Sequence, residues 1–140
     1  MKILLTTIFM IAAACHAYAA DTQPAQLIES FGEPYYDGCK CSIYIPAKGG
    51  GIDGKTVFFR PCDKSFAFVK IEDHSYFLSR VSESSSKNSI EETWKNYFFE
   101  VKLSLKKSGT GAEAQWYTGS LSVKKGQQQQ VIDVVGSCGI

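Results

Sequence analysis

The 140-residue chain sets 15 Lys+Arg against 14 Asp+Glu, a balance that leaves no basic stripe of the kind nucleic acid requires. With 44% hydrophobic and 21% charged residues it has the composition of a globular domain, not of a disordered segment. After the first twenty residues no stretch is long and apolar enough to read as a membrane-spanning helix.

The chain opens "MKILLTTIFMIAAACHAYAA": one lysine, an apolar run from Ile3 to Ala14, then small residues. That is the layout of a secretory leader. Small residues at Ala17 and Ala19 put cleavage after Ala19, so the reading is export, to the periplasm or the medium. "AAAC" before Cys15 also loosely resembles a lipobox, which would acylate Cys15 and make the product an outer-membrane lipoprotein. Loss of Lys2 with the leader leaves 14 Lys+Arg against 14 Asp+Glu, a formally neutral chain.

Residues 20–37 are polar, with a short apolar stripe at Leu27, Ile28 and Phe31 between Pro24 and Gly32. One or two helical turns are expected there. Residues 38–140 read as a single β domain. Strands are expected at 41–46, 56–60, 66–72, 76–82, 97–106, 114–124 and 131–137, each rich in β-branched or aromatic residues and bounded by turn formers. Residues 72–75, "EDHS", read as a tight turn, "KGGGIDGK" and "SGTGAE" as glycine loops, and "KGQQQQ" as a polar loop. Ser89-Ile90-Glu91-Glu92 has the S-x-x-E form of a capping box and predicts a helical turn carrying Trp94.

Alternation in the last three strands predicts faces. Tyr97, Phe99, Val101, Leu103 and Leu105 share the core face with Tyr117, Gly119, Leu121 and Val123. The expected register sets Phe99 against Leu121, Leu103 against Tyr117, Leu121 against Val134 and Tyr117 against Cys138. It also sets Gly119 beside Gly136, leaving a gap for a ring or marking a kink. Glu100, Lys102, Ser104, Trp116, Thr118, Ser120 and Ser122 fall on the wet face, where Trp116 is the one large apolar exception.

Four cysteines remain for folding: Cys39, Cys41, Cys62 and Cys138. An even count in an exported chain predicts two disulfides. A zinc site would need a second ligand cluster, and His74 is the only histidine outside the leader. A strict meander of seven strands would leave Cys138 a strand length from the other cysteines, too far to bridge. A crossing through residues 83–96 is therefore expected. The result is an all-β, disulfide-tied sandwich or partly closed barrel of about seven antiparallel strands with one or two short helical turns. Cys41–Cys62 with Cys39–Cys138 is the favoured pairing, with the exchange Cys39–Cys62 and Cys41–Cys138 close behind.

No G-x-S-x-G, P-loop, H-E-x-x-H or EF-hand pattern occurs, and neither catalytic residues, cofactor nor metal is expected. Rigid β frames present recognition on loops. In size, export and β content the chain is similar to small exported bacterial inhibitors of lysozyme. The likeness stops there, since Ser108-Gly109 is followed by no tyrosine before Tyr117. The expected function is a non-catalytic, inhibitor-like binding protein for a protein or a glycan. An envelope component anchored through Cys15 and a small hydrolase are the alternatives. Loops 47–55, 72–75 and 125–130 should gather at the rim away from the disulfides, with contacts near Asp53, His74 and Gln128.

Overall fold

Period-two alternation runs through almost every segment, and nearly all of it becomes sheet. A computed structural model describes residues 26–139, apart from Gly50, Lys64 and the side chain of Asp53; the expected leader, its cleavage point and Cys15 lie outside the described residues. Nine strands follow in order: β1 (Ile28–Glu29), β2 (Lys40–Pro46), β3 (Ile52–Pro61), β4 (Phe66–Ile71), β5 (His74–Ser85), β6 (Ser89–Lys95), β7 (Glu100–Thr110), β8 (Ala114–Lys125) and β9 (Gln128–Gly139). From β2 to β9 each strand pairs antiparallel with the next, and β9 closes on β2 from Cys41↔Cys138 to Tyr44↔Val135. The fold is a closed eight-stranded barrel, with β1 added outside the count on β4.

The barrel is filled by the inward parity of its strands. Ile43, Phe58, Leu103 and Leu121 are fully buried, as is Trp94, whose ring meets Phe58 edge-on at 5.8 Å. Arg60 and Glu92 are buried among them and paired, Nη2 to Oε1 at 2.6 Å, with Arg60 Nε donating to Oε2 at 3.0 Å. Trp94 Nε1 donates to the same Oε2 at 2.9 Å.

Those contacts overturn the helical turn expected at Ser89. The segment is a strand, with Ile90, Glu92 and Trp94 pointing inward. The S-x-x-E pattern misleads because Glu92 serves a buried arginine and caps no helix. This eighth strand also replaces the expected crossing. Seven strands in a meander would end at the wrong rim; eight return β9 alongside β2, and Cys138 reaches Cys41 with no crossover.

The disulfides are Cys39–Cys62 and Cys41–Cys138, so the favoured pairing is corrected to its exchange. The register explains it. Cys41 lies opposite Cys138 across the β2–β9 seam, whereas its β3 partner is Arg60. Cys39 continues the Lys40↔Pro61 register by one step to Cys62, whose N–H donates to the Cys39 carbonyl at 2.9 Å.

The expected faces hold in β7–β9, while the pairings slide. Leu103 faces Leu121 rather than Tyr117, and Leu121 faces Ile132 rather than Val134. The turns are shorter than their composition suggested: Ser108–Thr110 stay in β7 and three of the glutamines in β9. Each slip is an even number of residues, so every core residue within β7–β9 keeps its side. Gly119 and Gly136 are therefore not neighbours. Gly119 lies against Leu105, where an added Cβ would sit 1.9 Å from the Ser104 carbonyl oxygen; Gly136 makes room for Ile43. The Glu72-Asp73 turn is as expected, both residues taking the positive φ of a two-residue hairpin.

The helical turn expected in the N-terminal segment is absent among its described residues, 26–37. Leu27 and Ile28 are buried in extended chain, their N–H groups donating to Gln130 Oε1 at 2.7 and 2.8 Å. The β3–β4 seam has only two partnered pairs, Phe58↔Val69 and Phe59↔Phe68. Beyond them the segment takes over both edges: Ile28–Glu29 pair with Lys70–Ile71, and Phe31 bridges Thr56. An extended segment there satisfies backbone groups that a helix would leave open.

Candidate binding surfaces

The topology sorts the turns between two rims. Both disulfides and the β3–β4, β5–β6 and β7–β8 connections lie at one end, while the β2–β3, β4–β5, β6–β7 and β8–β9 connections lie at the other. The three loops expected to gather away from the disulfides share that open rim, and Lys125 Nζ pairs with Glu72 across two of them. His74 is exposed, its Nδ1 2.9 Å from the Glu72 carbonyl oxygen, and Gln128 is exposed at the start of β9. Asp53 lies in β3, its side chain outside the described atoms.

The most exposed aromatic at this rim is one that periodicity assigned to the core. Tyr97 is 95% exposed and Phe98 59% exposed, in the turn between β6 and β7. Asn96 is the cause. Its Oδ1 accepts from Phe98 N and Phe99 N, both at 2.8 Å, and this local bonding outcompetes strand pairing. Phe99 is the first of the run to turn inward, onto Tyr76 at 4.8 Å.

A second surface lies on the outer wall toward the stapled rim. In β4, Phe66 and Phe68 point outward while Ala67, Val69 and Ile71 point inward, so this strand is apolar on both faces. Phe77 of β5 stands beside them, 5.8 Å from Phe66 and 5.4 Å from Phe68. The N-terminal segment runs alongside and raises the facing wall with Pro34, Tyr35 and Tyr36. Together with Phe59 and Pro61 they enclose a groove of about 370 Å³. Phe77 is 67% exposed and Tyr35 93%. The signal was present in "FAFVK", whose hydrophobic residues occupy both parities, but a strand buried on both faces reads the same way.

Polar clamps hold the groove's outer wall. Tyr36 OH donates to Asp63 Oδ1 at 2.9 Å, a bond that raises the phenol's pKa. Glu33 accepts from Lys40 Nζ and from Tyr44 OH. Partial burial acts against its ionised form, but the hydrogen bonds from Lys40 and Tyr44 prevail and hold its carboxyl below the ordinary value. On the far side of the barrel Trp116 is 41% exposed, partly covered by the Gly109–Gly111 stretch.

Among the described residues no group of three or more His, Cys, Asp or Glu is placed to hold a metal ion, and no helix is long and apolar enough to cross a membrane. Comparison with family models, curated proteins and solved structures gives no match. The site chemistry therefore stands on this chain's own geometry.

Proposed function

We propose that the chain is a small exported, non-catalytic barrel that binds a protein partner through the aromatic groove between its N-terminal segment and strands β3–β5. The observation that carries this reading is the exposure of Tyr35, Phe66 and Phe77 around one concave, almost wholly apolar hollow. Aromatic side chains left in water on a rigid frame are the residues that anchor protein interfaces. Two disulfides fit folding in an oxidising, exported compartment and keep the frame stiff.

Few polar atoms line the groove, which favours apolar side chains of a protein over a glycan. A sugar brings hydroxyls whose hydrogen bonds to water would be lost without replacement. The test is capture from secreted and envelope fractions by the wild type and by Phe77→Ser with Tyr35→Ser. A partner retained by the wild type and reduced at least about tenfold by the variant, at unchanged Tm, supports the reading. Equal capture by both proteins refutes it, and loss of glycan-array binding in place of protein capture would assign the groove to carbohydrate.

A further inference from the structure

Hairpin turns are normally built from Gly, Asn, Asp or Ser, which bend the chain and tolerate water. The β6–β7 turn departs from this by presenting Tyr97 and Phe98 to solvent, their rings edge-on at 5.2 Å. The fold does not require those rings. Asn96 closes the turn through its side chain, and Asn96 N donates to the Phe99 carbonyl at 3.1 Å. The tip is held in one shape while its two largest side chains remain exposed.

Its surroundings are basic. Lys95 and Lys102 flank Glu100 at 2.9 and 3.4 Å and are 50% and 63% exposed. Lys124 and Gly126 border the same shallow hollow as Tyr97 and Phe98, and Lys125 stands over the Phe99 ring at 5.9 Å while pairing with Glu72. Four lysines thus face two carboxylates, an excess of two positive charges around a convex aromatic tip.

We infer that this sector of the open rim docks on an anionic phospholipid surface, with Tyr97 and Phe98 entering the headgroup layer and Lys95, Lys102, Lys124 and Lys125 meeting lipid phosphates. Aromatic rings settle at that depth because one part is apolar and the edge or hydroxyl is wet. Lysines near a negative surface add attraction that fades with salt. Shape selects this partner over an acidic protein: a projecting tip needs a cleft to enter a folded partner, whereas a fluid headgroup layer yields to it. The surface is separate from the aromatic groove, which lies on the outer wall toward the opposite rim, so docking here leaves the groove uncovered.

The experiment is co-sedimentation of the full mature protein with phosphatidylcholine vesicles, with and without phosphatidylglycerol, at low and high salt. Binding should rise at least about tenfold with the anionic lipid and fall back at high salt. Tyr97→Ser with Phe98→Ser should weaken it about tenfold at unchanged Tm. Lys102→Gln with Lys124→Gln should weaken it and flatten its salt dependence. Absence of binding to anionic vesicles at low salt overturns the inference, as does full binding by the ring variant. Equal binding to a soluble polyanion such as dextran sulfate would reduce the sector to a charge patch and overturn insertion. Loss of a captured protein partner by the ring variant, with vesicle binding unchanged, would make the tip a protein contact and overturn it as well.

Discussion

Glu92→Gln should unfold the barrel far more readily than its size suggests, because the change preserves shape and removes only a charge. In the wild type the carboxylate is ion-paired with Arg60 Nη2 at 2.6 Å and accepts hydrogen bonds from Arg60 Nε at 3.0 Å and Trp94 Nε1 at 2.9 Å, with Arg60 only 7% exposed. Arginine cannot shed its proton inside a protein, so the variant keeps a buried cation without its counter-charge. Removing one partner of such a pair costs about 3–5 kcal/mol. Domains of this size have a total stability of about 5–15 kcal/mol, so about a fifth or more should be lost. Replacing both charges, Arg60→Met with Glu92→Leu, should cost less. The pair itself is then replaced at little net cost, and the remaining loss of about 1–3 kcal/mol reflects the Trp94 N–H left without an acceptor. Urea unfolding with the disulfides intact, followed by tryptophan fluorescence with Trp116 replaced by Phe throughout so that the buried Trp94 alone reports, measures all the variants. A Glu92→Gln loss below about 1 kcal/mol, or a double variant less stable than Glu92→Gln, would refute the account of a charge pair closed off from water.

Three further outcomes are expected. Leu103→Ala and Leu121→Ala, which face each other inside the barrel, should each cost about 2–5 kcal/mol, whereas Ser104→Ala and Ser122→Ala on the outer wall should stay within about 0.5 kcal/mol in the same unfolding assay. Gly119→Ala should destabilise by about 2 kcal/mol or more, because the new methyl meets the Ser104 carbonyl at 1.9 Å and the strand backbone must move. Glu33, its folded-state pKa lowered by Lys40 and Tyr44, contributes stability present above its unfolded pKa and lost as pH falls through the folded value. Glu33→Gln should therefore trail the wild type by no more than about 1 kcal/mol at neutral pH, a gap that closes on acid titration.

What could be read in advance follows from which interactions are local. Alternation gave the inward face of β7, β8 and β9 correctly, since an even-numbered slip leaves every side chain on its side. Glu92 hid a strand because its reason for facing inward, Arg60, lies 32 residues away. Leu27, Ile28 and Phe31 have a spacing that a helix would accept, and only the unpaired edges of β3 and β4 decide for an extended chain. The cysteine pairing turned on which of two positions faces inward, Cys41 being buried against β9 while Cys39 flanks the hairpin. At the candidate surfaces, Asn96 overrode the periodicity that would have hidden Tyr97. The groove needed the N-terminal segment laid against β3–β5, an arrangement no single stretch of sequence encodes.

The closure between β2 and β9 carries a consequence for the order of events in time. The Cys41–Cys138 bridge spans 97 residues, and the Gln130 side chain that receives the Leu27 amide lies 103 residues downstream. A chain delivered N-terminus first therefore presents its opening strand, one cysteine and the apolar Leu27-Ile28 pair long before their partners arrive. Contacts of such long sequence separation form slowly, because the loop must be closed before the pairing stabilises anything. Hairpins β3–β4 through β7–β8 can flicker into place as they appear, but the seam must wait for the final strand. Closure of the barrel thereby waits until almost the whole chain has emerged, and completion of the fold becomes a late, separate step set by topology alone.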